Sequence, residues 1–298
     1  MKHNITVLKG CAVIILTGVF LTSSLIRAQR TTTLPDTYPL SSSPLQGSKQ
    51  VDLQLLYADS TAVILTFGQS NSTSSGQGTY YCHQEVYEFF QDTLFYAREP
   101  LRGAPGNGGC SVWTRLCDML IDSSLYRRVI LINTGIGSTT IRCWTAGACR
   151  DQLQECLTMI RERNIPVSHV IWHQGESDNL ENTSGADYLK GLNRLLRRIR
   201  KAGIEASLTV CVASYHPEMI GIKPSGLDTN VRKAQILFAR GTPGVIPGPD
   251  TDRYLLATDR YDGVHFSRTC LDTFAAELYR SIITSAGSGF STQPPRSL

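Results

Sequence analysis

The stretch Thr61-Ala62-Val63-Ile64-Leu65-Thr66-Phe67-Gly68-Gln69-Ser70-Asn71 is an apolar, β-branched run that meets a glycine and turns abruptly polar. Its apolar residues are consecutive rather than alternating, so a strand here is expected to bury both faces, as in a parallel sheet covered on two sides. Beyond Phe67 the residues are small and polar, with a Ser/Thr-rich turn reaching Gly76. Ser70 is either a turn or helix-cap hydroxyl, a place serine favours for local hydrogen-bonding reasons, or a nucleophile at the carboxyl end of a strand.

Similar apolar runs recur at 128–133, 167–172, 208–213 and 254–258, separated by amphipathic stretches at 113–121, 151–163, 188–202 and 271–283. Strand alternating with helix predicts a three-layer α/β/α sandwich around a central, mainly parallel five-stranded sheet. In the 188–202 helix, leucines and Ile199 mark one face and Arg194, Arg197, Arg198, Arg200 and Lys201 lie on other positions, a solvated basic face rather than an anion site.

The remaining layout is read from composition. Lys2 and Lys9 precede an apolar stretch from 10 to 26 that ends at Arg27-Ala28-Gln29. Residues 1–28 thus read as a signal peptide or, if uncleaved, an N-terminal anchor. Residues 29–54 are rich in Ser, Thr and Pro and read as a linker. The catalytic body is expected over 55–286 and a flexible tail over 287–298. With Lys2, Lys9 and Arg27 set aside, basic and acidic residues nearly balance, so no nucleic-acid partner is expected, and membrane contact only through the N-terminal segment.

Of nine cysteines, eight lie beyond the leader, an even number in a chain expected to be secreted, periplasmic or cell-surface. Some disulfides are expected, and Cys143 and Cys149 are close enough to staple one loop. No Cys-x-x-Cys pair suggests a zinc site.

In an open α/β sheet, ligands bind outside the carboxyl ends of the strands. Those ends read Gly68-Gln69-Ser70-Asn71, then Asn133 to Ile141, then His173-Gln174-Gly175-Glu176-Ser177-Asp178, then Ser214-Tyr215-His216-Pro217, then Asp259 to Phe266. Serine hydrolysis needs a nucleophile, a base, an acid orienting the base, and donors for the oxyanion. Ser70, His265 and Asp262 supply the first three, and the Asp-x-x-His spacing lets one loop carry both acid and base. Glu176 and Asp178 suggest paired-carboxylate chemistry, but a role in fixing their loop is the simpler expectation. His173 and His216 have no partner at metal-ligand spacing. Asn71-Ser72-Thr73 and Asn182-Thr183-Ser184 match glycosylation acceptors, the first too near Ser70 to be used.

The set GQSN, GIGSTTIRCW, WHQGESD and DGVHF, in that order, resembles the SGNH hydrolases, whose sheet is flavodoxin-like. More narrowly it is similar to the branch that includes sialate O-acetylesterases and related carbohydrate acetylesterases, over about residues 60–283. The resemblance implies Ser70 as nucleophile, His265 as base, Asp262 as its orienting acid, and an oxyanion hole from the Ser70 N–H, the Gly137 N–H and the Gln174 side chain. Where relatives often read Gly-Gly-Thr, this chain reads Gly137-Ser138-Thr139. No Gly-x-Ser-x-Gly elbow surrounds Ser70, which speaks against the α/β-hydrolase pattern.

The expected function is a secreted serine esterase that removes acetyl groups from an acetylated glycan or small acetyl ester, without metal or organic cofactor. Trp144, on the loop after the second strand, is the candidate for stacking on sugar, with Glu176 a second candidate for substrate contact. The alternatives are an acyltransferase or short-chain lipid esterase on the same triad, and a non-catalytic glycan-binding module.

Overall fold

The computed structural model describes residues 49–217 and 226–287. The expected leader, the linker up to residue 48 and the tail from 288 lie outside the described residues. The linker's last residues already belong to the body: β1 (Gln50–Val51) is a strand, and a 3₁₀ turn comes next at Leu53–Tyr57.

Strand β2 (Thr61–Gly68) is buried along its whole length, as its consecutive apolar residues require. Val63, Leu65 and Phe67 enter one core and Ala62 and Ile64 the other. The rest of the sheet comprises β3 (Val86–Phe90), β4 (Thr93–Tyr96), β5 (Arg128–Asn133), β6 (His169–His173), β7 (Leu208–Val212) and β8 (Val245–Asp250). The order is β1-β4-β3-β5-β2-β6-β7-β8. From β3 to β8 every pairing is parallel, and β4 and β1 complete one edge antiparallel. In the register, Ile64 faces Leu131 on one side and His169 on the other.

The sheet is therefore mainly parallel, with eight strands instead of five. The β3–β4 hairpin closes through Gln91 (φ 46°) and Asp92 (φ 59°), a two-residue turn with both central residues left-handed. The fifth expected strand, 254–258, is not one; β8 takes its place. Its sequence, Val-Ile-Pro-Gly-Pro-Asp, reads as a turn, but at the sheet's edge a missing proline N–H removes no ladder bond. The 254–258 segment instead belongs to the loop leading to His265 and exposes Leu255 and Leu256.

One face is covered by α2 (Ile141–Ala146), α3 (Ala148–Glu162), α5 (Gly185–Lys201) and α6 (Thr229–Gly241), and the other by α1 (Trp113–Asp122) and α7 (Arg268–Gly287). A short α4 (Glu176–Leu180) comes after β6. On α5 the buried residues Tyr188, Leu192, Leu195 and Ile199 form the core stripe, and Arg194, Arg197 and Lys201 are exposed, whereas Arg198 and Arg200 are half-buried and donate to the carbonyls of Thr145 and of Ile204, Ala206 and Gly244. A disulfide joins Cys143 to Cys149 across the α2–α3 junction, and the other six cysteines of the described residues are free thiols.

Candidate active site

The carboxyl end of β2 delivers Ser70 to the first position of a 3₁₀ turn, Ser70–Ser72. The turn is closed by the Thr73 amide and hydroxyl, both donating to the Ser70 carbonyl. The Ser-rich sequence behind it is a rivet. Ser74 Oγ donates to Glu99, whose carboxylate also accepts from the Ser111 amide and hydroxyl and from the Thr114 hydroxyl. The Ser70 turn is thereby pinned to the start of α1.

Beside Ser70 runs the loop after β5, held by the Ile136 amide donating to the Gly68 carbonyl at 2.9 Å. A side-chain carbon on Gly137 would lie 3.7 Å from the Ser70 Cβ, so the two residues are neighbours. Neither the Ser70 N–H nor the Gly137 N–H donates to any group of the described residues. Two free backbone donors beside a serine hydroxyl are the raw material of an oxyanion hole. The next residue, Ser138, holds φ 57°, a conformation where glycine costs least. The departure from Gly-Gly-Thr thus falls on a left-handed position.

The loop before α7 carries Asp262 and His265. His265 Nδ1 and Asp262 Oδ2 are 2.6 Å apart, and Asp262 Oδ1 accepts from the Val264 and His265 amides. Burial pushes the Asp262 carboxyl up, but the hydrogen bonds from His265 and Val264 outweigh it and the net direction is down. An ionised Asp262 fixes the proton on Nδ1 and leaves Nε2 as the basic nitrogen. No hydrogen bond joins Ser70 Oγ to His265, a contact that in serine hydrolases often tightens only when substrate binds.

The two loops are joined instead by Asn71. Its Nδ2 donates to the Val264 carbonyl and to Glu176 Oε1, and its Oδ1 accepts from the Phe266 amide, so it bonds both residues flanking His265. Arg260 stiffens the same loop from within. It lies between the Tyr215 and Phe266 rings and donates to the carbonyls of Tyr254, Val264 and Thr251. Sequence reasoning missed both: Asn71 sat in the quoted motif without a role, and Arg260, a lone loop residue two before Asp262, has no periodic signal.

Three sequence-predicted residues are placed differently. Gln174 is fully buried. Its Nε2 donates to the Thr139 carbonyl at 2.8 Å and to Asp178 at 2.6 Å, and its Oε1 accepts from Tyr188. With both N–H protons engaged, it has none for an oxyanion, and it ties the end of β6 to the loop after β5 instead. Trp144 is fully buried too, with Nε1 bonded to Thr139 and its ring against Phe67 and Trp172, so it cannot stack on a sugar. Positions 141, 144 and 145 share the inward face of α2, a spacing that points to core. Trp144→Ala should cost about 3–5 kcal/mol in a urea unfolding experiment. The aromatic ring that does flank His265 is Tyr261, 6.2 Å from the His265 ring and 43% exposed.

Glu176 is buried beneath the Ser70 turn, out of reach of substrate. Burial raises its carboxyl to about 7, against the opposing bond from Asn71, and burial raises Glu88 in the β3 strand to about 7 as well. For an acid raised on folding, the stability present at low pH is lost as pH rises through the folded value. The stability that Glu176 adds should therefore fall as pH rises from about 5 to about 7, so in a series of melts the Tm of Glu176→Gln relative to wild type should rise across that interval. Burial pulls His173 down to about 3 and His216 down as well. Among the described residues no group of three His, Cys, Asp or Glu side chains is arranged to hold a metal ion.

The fold is similar to that of several solved proteins. A protein from Arabidopsis thaliana superposes with a TM-score of 0.59 at 15% identity, over 77% of this chain and 99% of that one. NanS gives 0.57 at 12%, over 76% and 98%. XAC1771, a carbohydrate acetylesterase from Xanthomonas citri, gives 0.53 at 14%, over 76% and 57%. No curated protein sequence matches significantly. The sequence profile of one family covers residues 60–283, from the start of β2 into the final helix. By that match the chain belongs to the family described as carbohydrate esterase, sialic acid-specific acetylesterase.

Proposed function

We infer that the protein is an exported serine esterase that removes O-acetyl groups from a glycan through an acyl-Ser70 intermediate. The observation that carries this reading is the Asn71 clamp, which seats the Asp262–His265 pair against a serine flanked by two unbonded N–H groups.

In this mechanism Ser70 Oγ attacks the acetyl carbonyl carbon while His265 Nε2 takes the hydroxyl proton. The oxyanion is received by the Ser70 and Gly137 N–H groups. Collapse breaks the bond from carbonyl carbon to sugar oxygen, and His265 returns its proton to that oxygen. Water then attacks the acyl-Ser70 carbon, giving its proton through His265 to Ser70 Oγ, and acetate leaves. Export is supported by the charged and apolar N-terminus and by the disulfide between Cys143 and Cys149.

The purified protein should release acetate from acetylated sugars and take up a serine-reactive phosphonate at Ser70. Peptide mass mapping that found the label elsewhere, or no acetate release, would defeat the reading. Asp262→Asn should lower kcat by about 10²–10⁴-fold with an unchanged melting curve, since the carboxylate sets the imidazole tautomer rather than the fold.

A further inference from the structure

A cavity of about 350 Å³ lies at the carboxyl ends of β3 and β5, lined by side chains outside the triad. Its size falls in the range of small-ligand sites. It shares a wall with the nucleophile's turn, because the lining residue Asn133 donates through Nδ2 to the Ser72 carbonyl. Thr134, next in the wall, opens the loop that carries Gly137.

The lining states what would bind. Phe90 and Met159 offer an apolar surface, and Gln152, Thr134 and Glu155 offer hydrogen-bonding groups. The Thr134 hydroxyl is buried without a partner. An aromatic face beside several acceptors and an amide suits a pyranose ring, apolar on its C–H faces and hydroxylated at its rim. The charge selects further. Asp92 and Glu155 are both carboxylates, no Lys or Arg lines the cavity, and Asp92 is paired outside it with Arg163 at 2.8 Å. With Asp92 engaged by Arg163, the like charge a sugar acid would meet is that of Glu155.

We propose that this cavity is the subsite for a neutral pyranose unit of the substrate glycan, adjacent to the acetylated unit held at Ser70. The assignment rests on the esterase reading above. It makes the preferred substrate an acetylated neutral oligosaccharide rather than a free acidic sugar.

The test compares Gln152→Leu and Phe90→Ala with wild type on three esters: 4-nitrophenyl acetate, an acetylated xylo-oligosaccharide and 9-O-acetyl-N-acetylneuraminic acid. Glu155→Ala, at an exposed helix position, is a further variant whose folding is not at stake. The expected result is a loss of about tenfold in kcat/KM on the xylo-oligosaccharide alone, the cost of about one good hydrogen bond or ring contact. Equal losses on all three esters, or none on the xylo-oligosaccharide, would overturn the subsite. Binding of unacetylated xylotetraose, measured by calorimetry, separates this proposal from the esterase reading. Binding to wild type that weakens about tenfold in the variants upholds the subsite even if no ester is cleaved. Absence of binding to wild type overturns the subsite even if 4-nitrophenyl acetate is cleaved.

Discussion

Ser70→Ala is expected to lower turnover of an acetylated sugar by on the order of 10⁴- to 10⁶-fold, the loss seen when a serine nucleophile is removed from an intact triad. The magnitude is set by the groups that remain. The Ser70 and Gly137 N–H groups would still receive an oxyanion, and His265 would still be poised by Asp262, so a small residual rate through direct water attack is expected. The fold should not change. Ser70 Oγ makes no hydrogen bond to the described residues, and the turn is held by the Ser70 carbonyl, which alanine retains. Stopped assays of acetate release, with thermal melts of both proteins, check this. A variant that kept more than about one hundredth of the wild-type rate would remove Ser70 from the mechanism.

Gly68→Ala should do severe damage for the addition of a single methyl group. Gly68 sits at φ 148°, where side chains are strained, and faces His173 across the β2–β6 pair. A Cβ there would stand 1.9 Å from the His173 carbonyl oxygen, so strand or turn must move. Strain and overpacking together should cost on the order of 3–5 kcal/mol. For a domain of this size that lowers Tm by on the order of 10 °C. The same residue's carbonyl anchors Ile136, next to Gly137, so the folded variant should also lose activity through a displaced oxyanion loop. Gly241→Ala is the control: nothing lies within 4 Å of its added carbon, at the end of α6, and stability should hold or rise slightly. Equal Tm values for the two variants would refute the account.

The legible parts of the sequence were those whose environment is set by neighbours in the chain. The central strands announced themselves because a strand buried on both faces must be apolar at every position, and a ligand-bearing strand end must then turn small and polar. The Asp262–His265 pair was legible because both partners lie within one turn of loop. The β3–β4 hairpin and β8 were not: the first runs through a polar turn, and the second carries prolines that only an edge position tolerates. Trp144 and Gln174 failed for a related reason. Sequence marks an aromatic or an amide beside a motif, and burial decides whether its ring or its protons are available.

By itself, then, the sequence determined the α/β class, the order of the strand-end motifs and the choice of Ser70, Asp262 and His265 as the proposed reacting set. Tertiary structure alone decided which groups surround that set. Asn71, Arg260 and the free Gly137 N–H acquire their places from contacts between loops far apart in the chain. Gln174 and Trp144 lose theirs to partners, Asp178, Thr139 and Phe67, that occupy their polar atoms or cover their faces. Hydrogen-bond capacity is finite and a buried face touches only protein, so these roles depend on packing that local sequence does not encode.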